Sequence, residues 1–347
     1  MKVLYIHDLY PPEIVGGGEF YAESLVTQLK KRGIDMMVLC GTKGKTRTEN
    51  RNGIKVKRIH FKTRRELMFK VREMRNVMKE FKPDIVHTNA FTVCTPAYFA
   101  ARSLKIPVVV NLHFLFLEEF FRYHPFYKAY AFEKMEKNIL KLPFDKIIAL
   151  SYEIMCNLKR LGLDKKSVLI EHAVNTKMFK NKKKPKRFTV ASYTTTEASK
   201  GFDIFLDLRK RVKDADFIVY GKTTEEMRKE LKRYGIKYYG IVPYPKLIKF
   251  LNNASVFFGH GLAAKDAMAS GCPTILNEST PRLMNYHHKE LKAGVMLHGD
   301  PVKIINKLKT DKKYYKNISK KSAEFIRKNY DTEIIIPKII NVYRELV

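Results

Sequence analysis

Short β-rich runs alternate with helix-spaced stretches along nearly the whole chain, and the series occurs twice. The first series is VLYIHDL (3–9), DMMVLCG (35–41), IVHTNA (85–90), VVVNLHF (108–114) and KIIALS (146–151). Between these runs lie segments such as AESLVTQLKKRG, whose apolar residues recur at helical spacing. Strand and helix in strict alternation predict a parallel, doubly wound sheet. At 180–187 the pattern gives way to KNKKKPKR, charged, proline-containing and unable to contribute to a core. It restarts with FTVASY (188–193), DFIVYG (216–221), KYYGIV (237–242), SVFFG (255–259), PTILN (273–277) and AGVMLH (293–298). The chain is therefore expected to hold two similar α/β domains, residues 1–179 and 188–325, with 180–187 as the linker. No repeat of 20 to 50 residues points to a solenoid instead.

A length of 347 residues with 45% hydrophobic content suffices for two cores. Cysteines stand alone at 40, 94, 156 and 272, so neither a zinc site nor a disulfide scaffold is indicated, and a reducing, cytoplasmic setting fits. The opening MKVLYIHDLY runs straight into a strand and does not read as a signal peptide, and no 18-residue apolar window predicts a membrane span. Lys+Arg of 67 against Asp+Glu of 35 gives a net charge of +32, a field that attracts nucleic acid, anionic lipid or phosphorylated substrates alike. Lysine-rich thermophile proteomes also produce such chains without a polyanionic partner. A nucleic-acid partner is not expected, since no helix-turn-helix, RNP or zinc-finger pattern accompanies the charge.

PPEIVGGGEFYAESLV (11–26) places Gly16, Gly17 and Gly18 between the first strand and the first helix. Three glycines there let backbone N–H groups approach an anion or a sugar at a helix N-terminus. Tyr21 breaks a G-x-G-x-x-G fingerprint and no GK[ST] follows, so neither a dinucleotide loop nor a P-loop is present. A turn without a ligand is the alternative. Asp214-Ala215-Asp216 has the DxD form of a metal-binding pair, but it directly precedes FIVYG and reads as a helix-to-strand turn.

A set of motifs in order then resembles the retaining glycosyltransferases of family 4. It comprises PPEIVGGGEFYAESL, KPDIVHTNAF (82–91), VVVNLHF, IIALSYEIMCNLKRLGLDKKSVLIEHAVNTKMF (147–179), SKGFDIF (199–205), YYGIVPYPKLIKFLNNASVFF (238–258) and KDAMASGCPTI (265–275). The ending EFIRKNYDTEIIIPKIINVYREL is similar to that family's C-terminal helix, placed here at 326–347 and expected to return to the first domain. The resemblance implies the GT-B fold, with two Rossmann-like domains facing across a cleft. It implies a nucleotide-diphosphate sugar held by domain two, transferred with retention of configuration, and no metal or other cofactor.

Residue by residue, the resemblance gives Lys200 the task of neutralising the departing diphosphate, with Gly201 leaving room beside it. His113 matches the histidine beside the donor sugar, His87 a second histidine in a supporting role, and Asp266 the carboxylate that accepts ribose hydroxyls. Two expected groups are missing. The partner glutamate falls on Phe258, and the arginine of the diphosphate clamp falls on Thr195. His260 or Glu197 are the nearby candidates to replace them, and a noncatalytic nucleotide-sugar-binding subunit is the alternative function.

The acceptor is read as a lipid-linked or glycan molecule at an anionic membrane, with the enzyme peripheral on the inner face. Residues 62–82 place Leu67, Val71, Met74 and Met78 on one helical face among Arg64, Arg65, Lys70, Arg72, Arg75 and Lys79. HFLFLEEFFRYHPFYKAYAFEKMEK (113–137) is unusually aromatic. Each segment can lie against a membrane or face the core.

Overall fold

The computed structural model describes residues 1–13, 16–179, 185–194, 202–242, 244–278 and 282–347. The chain divides into two compact units, Met1–Glu171 with Ile335–Val347, and His172–Ile334. Among the described residues the first unit holds strands β1 (Lys2–His7), β2 (Asp35–Thr42), β3 (Arg47–Arg51), β4 (Ile54–His60), β5 (Ile85–Asn89), β6 (Val108–Leu112), β7 (Lys146–Ala149) and β8 (Ser167–Leu169). Its helices are α1 (Gly17–Lys31), α2 (Val71–Phe81), α3 (Cys94–Arg102), α4 (Phe120–Tyr123), α5 (Phe126–Leu140) and α6 (Tyr152–Arg160). The second unit holds β9 (Thr189–Thr194), β10 (Asp216–Gly221), β11 (Lys237–Tyr238), β12 (Val256–Gly259), β13 (Thr274–Leu276) and β14 (Met296–Leu297). Around them run α7 (Phe202–Arg211), α8 (Glu225–Arg233), α9 (Tyr244–Asn252), α10 (Gly261–Ala269), α11 (Arg282–Tyr286), α12 (His288–Lys292), α13 (Pro301–Thr310) and α14 (Lys312–Tyr330). The last helix, α15 (Thr332–Arg344), passes into the first unit at Ile335.

The first sheet runs β3-β4-β2-β1-β5-β6-β7-β8, parallel throughout except for the β3–β4 hairpin. Its central strands are buried along almost their whole length because helices cover both faces. On one face Leu4, Ile6, Met37, Leu39, Val86 and Val110 pack against Met74 and Met78 of α2 and Ala97 and Ala101 of α3. On the other, Tyr5 meets His87, and His87 meets Tyr343 of α15. The second sheet runs β11-β10-β9-β12-β13-β14, all parallel. Alternate residues of β12 serve its two cores: Phe257 packs with α9, α10 and α14, while Val256 and Phe258 pack with α7, α8 and α13.

The interfacial reading of residues 62–82 is overturned here. The stretch is a 3-10 turn, Arg64–Phe69, followed by α2. Leu67, Met74, Val77 and Met78 are buried in the first core, with Val71 packed against it, so the apolar stripe has no surface to offer a bilayer.

Candidate functional site

In both sheets the strand order reverses beside the first strand of the unit, at β1/β5 and at β9/β12. Loops leaving the carboxyl ends of two such strands diverge, one to each face, and leave a crevice for a ligand. Of the described motif residues, Gly16, Gly17, Gly18 and His113 lie near the first of these places and His260 near the second.

In the first unit β1 ends at His7 and α1 starts at Gly17, with Gly16 as its N-cap. A Cβ built on Gly16 or Gly17 meets nothing within 4 Å, so open space and not packing accompanies the glycines there. On Gly18 it would lie 3.6 Å from His7 Nε2. Gly16 cannot cap with a side chain, and Glu19 does so instead: its carboxylate accepts the Gly16 N–H at 2.9 Å. The sequence leads one to expect an anion or a sugar at this helix end. The structure puts a buried carboxylate of the protein there, which favours a neutral hydroxyl-bearing ligand over a phosphate. His7 Nδ1 accepts the Leu9 N–H at 3.3 Å, and burial lowers its pKa against the opposing pull of Asp8 and Glu19.

His113 follows β6. Its Nε2 lies 3.0 Å from Asn89 Oδ1, and Asn89 spends its amide N–H on Tyr5 Oη at 2.8 Å. That leaves Asn89 as acceptor and makes His113 Nε2 the donor, which fixes the tautomer. Tyr21 of α1 packs edge-on against the His113 ring at 5.1 Å, joining the glycine-loop helix to the end of β6. Burial, reinforced by the nearby His7 and His87, pushes the His113 pKa down to about 3, so the ring is neutral at physiological pH. His87 lies deeper, fully buried, with Nδ1 2.5 Å from Tyr343 Oη and a pKa lowered to about 4 by burial. It ties α15 to the sheet. His7, Glu19, Tyr21 and Asn89 are the residues that motif reading passes over. The available signal was polar side chains at the carboxyl ends of otherwise apolar strands.

In the second unit the loop after β9, with Glu197, Lys200 and Gly201 and the arginine substitute Thr195, lies outside the described residues. Its partner across the reversal is α10. His260 caps that helix and its Nε2 meets Tyr193 Oη, at the end of β9, at 2.8 Å. Gly261 opens the helix at φ +70° and donates its N–H to His287 Nε2 at 2.9 Å. Asp266, one turn on, is 2% exposed, and the Tyr220 pKa is raised by burial and by this carboxylate. Beneath α10, Lys265 Nζ stands 3.4 Å from Glu290 Oε1 and 3.8 Å above the Tyr330 ring. Burial alone would raise the Glu290 pKa, but Lys265 and His287 bring it down to about 2. Phe258, where a glutamate was expected, is 1% exposed and stacks on Phe205 at 6.1 Å. Asp214 is ion-paired to Lys309 and Asp216 to Arg187. Arg209, Lys210, Lys213 and Arg233 surround Tyr234 at the C-terminal ends of α7 and α8. These ends lead into the amino ends of β10 and β11, away from the carboxyl-end crevice, and the cations there complement the helix dipoles.

The whole chain superposes on solved structures of this architecture. Sucrose-phosphate synthase of Thermosynechococcus elongatus matches with a TM-score of 0.81 at 16% identity, over 99% of this chain and 98% of that one. Anabaena HepE, in complex with UDP and glucose, matches with 0.79 at 15% identity over 99% and 100%. WaaG, a glycosyltransferase involved in lipopolysaccharide biosynthesis, matches with 0.73 at 11% identity over 98% and 99%. At these identities the likeness is one of fold, and the fold is GT-B. Residues 15–178, just under half of the chain, match the family model described as Glycosyltransferase Family 4, and it is this family that the chain resembles. No curated protein matches it in sequence.

Proposed function

We propose that this protein transfers a hexosyl group from a nucleoside diphosphate to a lipid-linked or glycan acceptor with retention of configuration. The observation that carries the reading is the meeting of the motif residues with the two strand-order reversals, each at the carboxyl ends of the strands. In the second unit Lys200 neutralises the departing diphosphate, Gly201 admits it and Asp266 accepts hydroxyls of the nucleotide ribose. In the first unit the loop at Gly16–Gly18 and neutral His113 meet uncharged sugar hydroxyls. The UDP and glucose bound by HepE support a uridine nucleotide as the first donor to try. The lipopolysaccharide pathway of WaaG supports an acceptor at a membrane, with the enzyme peripheral on its cytoplasmic face. Among the described residues no helix is long and apolar enough to cross a membrane.

The test is thermal unfolding across a panel of nucleotide-sugars, followed by transfer assays with the nucleotide that binds. A ligand at a hundred times its Kd adds about 2.7 kcal/mol to the folded state. No stabilisation by any member of the panel removes the reading. A second reading is favoured by Phe258: with a core phenylalanine in place of the carboxylate, the chain binds a nucleotide-sugar without turning it over. Stabilisation by a donor with no transfer to lipid or glycan acceptors selects that version.

A further inference from the structure

The aromatic stretch of the first unit is not core. Residues 121–128, FRYHPFYK, are exposed without a break at the apex between α4 and α5. Phe126 is 74% exposed, Tyr127 68% and Tyr130 52%. The rings form a continuous surface, with Phe121 5.5 Å from Phe126 and Phe126 stacked 6.4 Å from Tyr130. The base of the hairpin is by contrast fastened: Phe120 packs against Phe116 and Phe132, and the buried Glu136 carboxylate accepts the N–H groups of Phe116 and Leu117 at 3.1 and 2.6 Å. A rigid base therefore holds out an apolar tip. Such an exposed cluster is costly in water and marks a contact surface.

Its charge identifies the contact. From Phe120 to Phe132 there is no carboxylate, while Arg122 and Lys128 stand among the rings and Lys134 follows, its Nζ 5.9 Å from the Tyr130 ring. The flanking carboxylates are engaged, Glu119 with Arg122 at 3.3 Å and Glu133 with Lys137 at 2.7 Å, so the exposed rings stand beside Lys128 and Lys134, which suits the boundary between headgroups and acyl chains of an anionic bilayer. We infer that the α4–α5 tip is the membrane-docking element of this protein, with Phe126 and Tyr127 entering the interface and Lys128 and Lys134 meeting lipid phosphates. This deepens the proposed membrane-linked acceptor, and the experiment uses no nucleotide-sugar, so docking and transfer succeed or fail separately.

The chain has no tryptophan, so Phe126→Trp gives the full-length protein a single reporter. Phe69→Trp, at the 80% exposed position of the 64–69 turn, gives the matching reporter for the other candidate segment. With vesicles of phosphatidylcholine and phosphatidylglycerol, Trp at 126 is expected to shift its emission to the blue and be quenched by brominated acyl chains, and Trp at 69 is not. Phe126→Ser with Tyr127→Ser, both on the surface, is expected to weaken vesicle binding about tenfold or more, since two buried rings are lost. A blue shift at 69 and none at 126, binding unchanged in the double variant, or no vesicle binding at all overturns the inference. So does a dimer in light scattering that Phe126→Glu disperses, which would assign the tip to a second copy of the chain.

Discussion

Replacing Lys265 by methionine should damage the second unit more than any other single change of similar size beneath α10. Lys265 and Glu290 are 1% and 0% exposed, and the pair sits in the core between α10, α12 and α14. Removing the cation leaves a carboxylate sealed from water with only His287, at 3.6 Å, to face it. The Glu290 pKa is held at about 2 against an ordinary 4.5, a gap that corresponds to roughly 3 kcal/mol. Measured losses for breaking one partner of a buried pair, about 3–5 kcal/mol, agree. The pH dependence has a definite sign. In the native protein a depressed carboxyl pKa contributes stability that is complete above 4.5 and is lost as pH falls toward about 2. In Lys265→Met, burial without the cation raises the Glu290 pKa, so the deficit is full near neutrality and shrinks as acid neutralises the carboxylate. Urea unfolding followed by circular dichroism at about pH 7.5 and pH 4.5 should therefore show a gap from wild type that narrows with acid. Glu290→Leu added to Lys265→Met should recover most of the loss. A loss under about 1 kcal/mol at neutral pH, or an equal gap at both pH values, refutes the account of this pair as the prop of α10.

Other expectations follow from single contacts. Lys200→Ala should lower kcat/KM about ten- to a hundredfold through loss of a charge-assisted contact of roughly 1.5–3 kcal/mol, while exposed Lys312→Ala leaves it unchanged; equal rates remove Lys200 from the site. With its pKa near 3, His113 should contribute no inflection to the pH–rate profile between about pH 5 and 8, so an inflection in that range that vanishes in His113→Asn contradicts the neutral ring. Because that value lies below the ordinary 6.5, the unfolded chain takes up the proton first, and the His113 contribution to stability should decline as pH falls below 6.5. Tyr343→Phe strands His87 Nδ1 in the core and should cost about 1–3 kcal/mol in thermal unfolding; an unchanged midpoint would show that the α15 contact is dispensable.

The central strands were legible because helices on both faces make them apolar runs, from VLYIHDL through AGVMLH. The β3–β4 hairpin was not, since β3 is RTENR and the outward Lys55 and Lys57 interrupt IKVKRIH. The signal there was the turn, Asn52-Gly53, where both residues take positive φ, 52° and 76°. Helical spacing identified the apolar stripe of 62–82 but says nothing about what the stripe faces. Strands of the first sheet and α3 share a core with it, a fact of topology and not of period. The same limit applied to 113–137, where Ala129 and Glu136 turn inward and Phe126 outward, against the order of hydrophobicity.

At the site, residue type alone misjudged how charge is arranged. Three glycines ahead of a helix admit an anion or a sugar, and the Glu19 side chain folding back onto Gly16 favours the sugar. The carboxylate accepts a hydrogen bond at the helix end, and burial lowers the pKa of the neighbouring His7 and His113. In the second unit the expected glutamate is a core phenylalanine, and among the described residues Ser192 bonds its carbonyl while Tyr193 and His260 bond each other at the reversal. On the proposed function, positive charge for the leaving diphosphate is assigned to Lys200, outside the described residues, and to the α10 N-terminus, where the Gly261 N–H is given to His287. The Lys265–Glu290–His287 network reaches the N-terminus of α10 through one hydrogen bond, so on the proposed function loosening it should weaken nucleotide-sugar binding even though none of the three residues is assigned a contact with the donor.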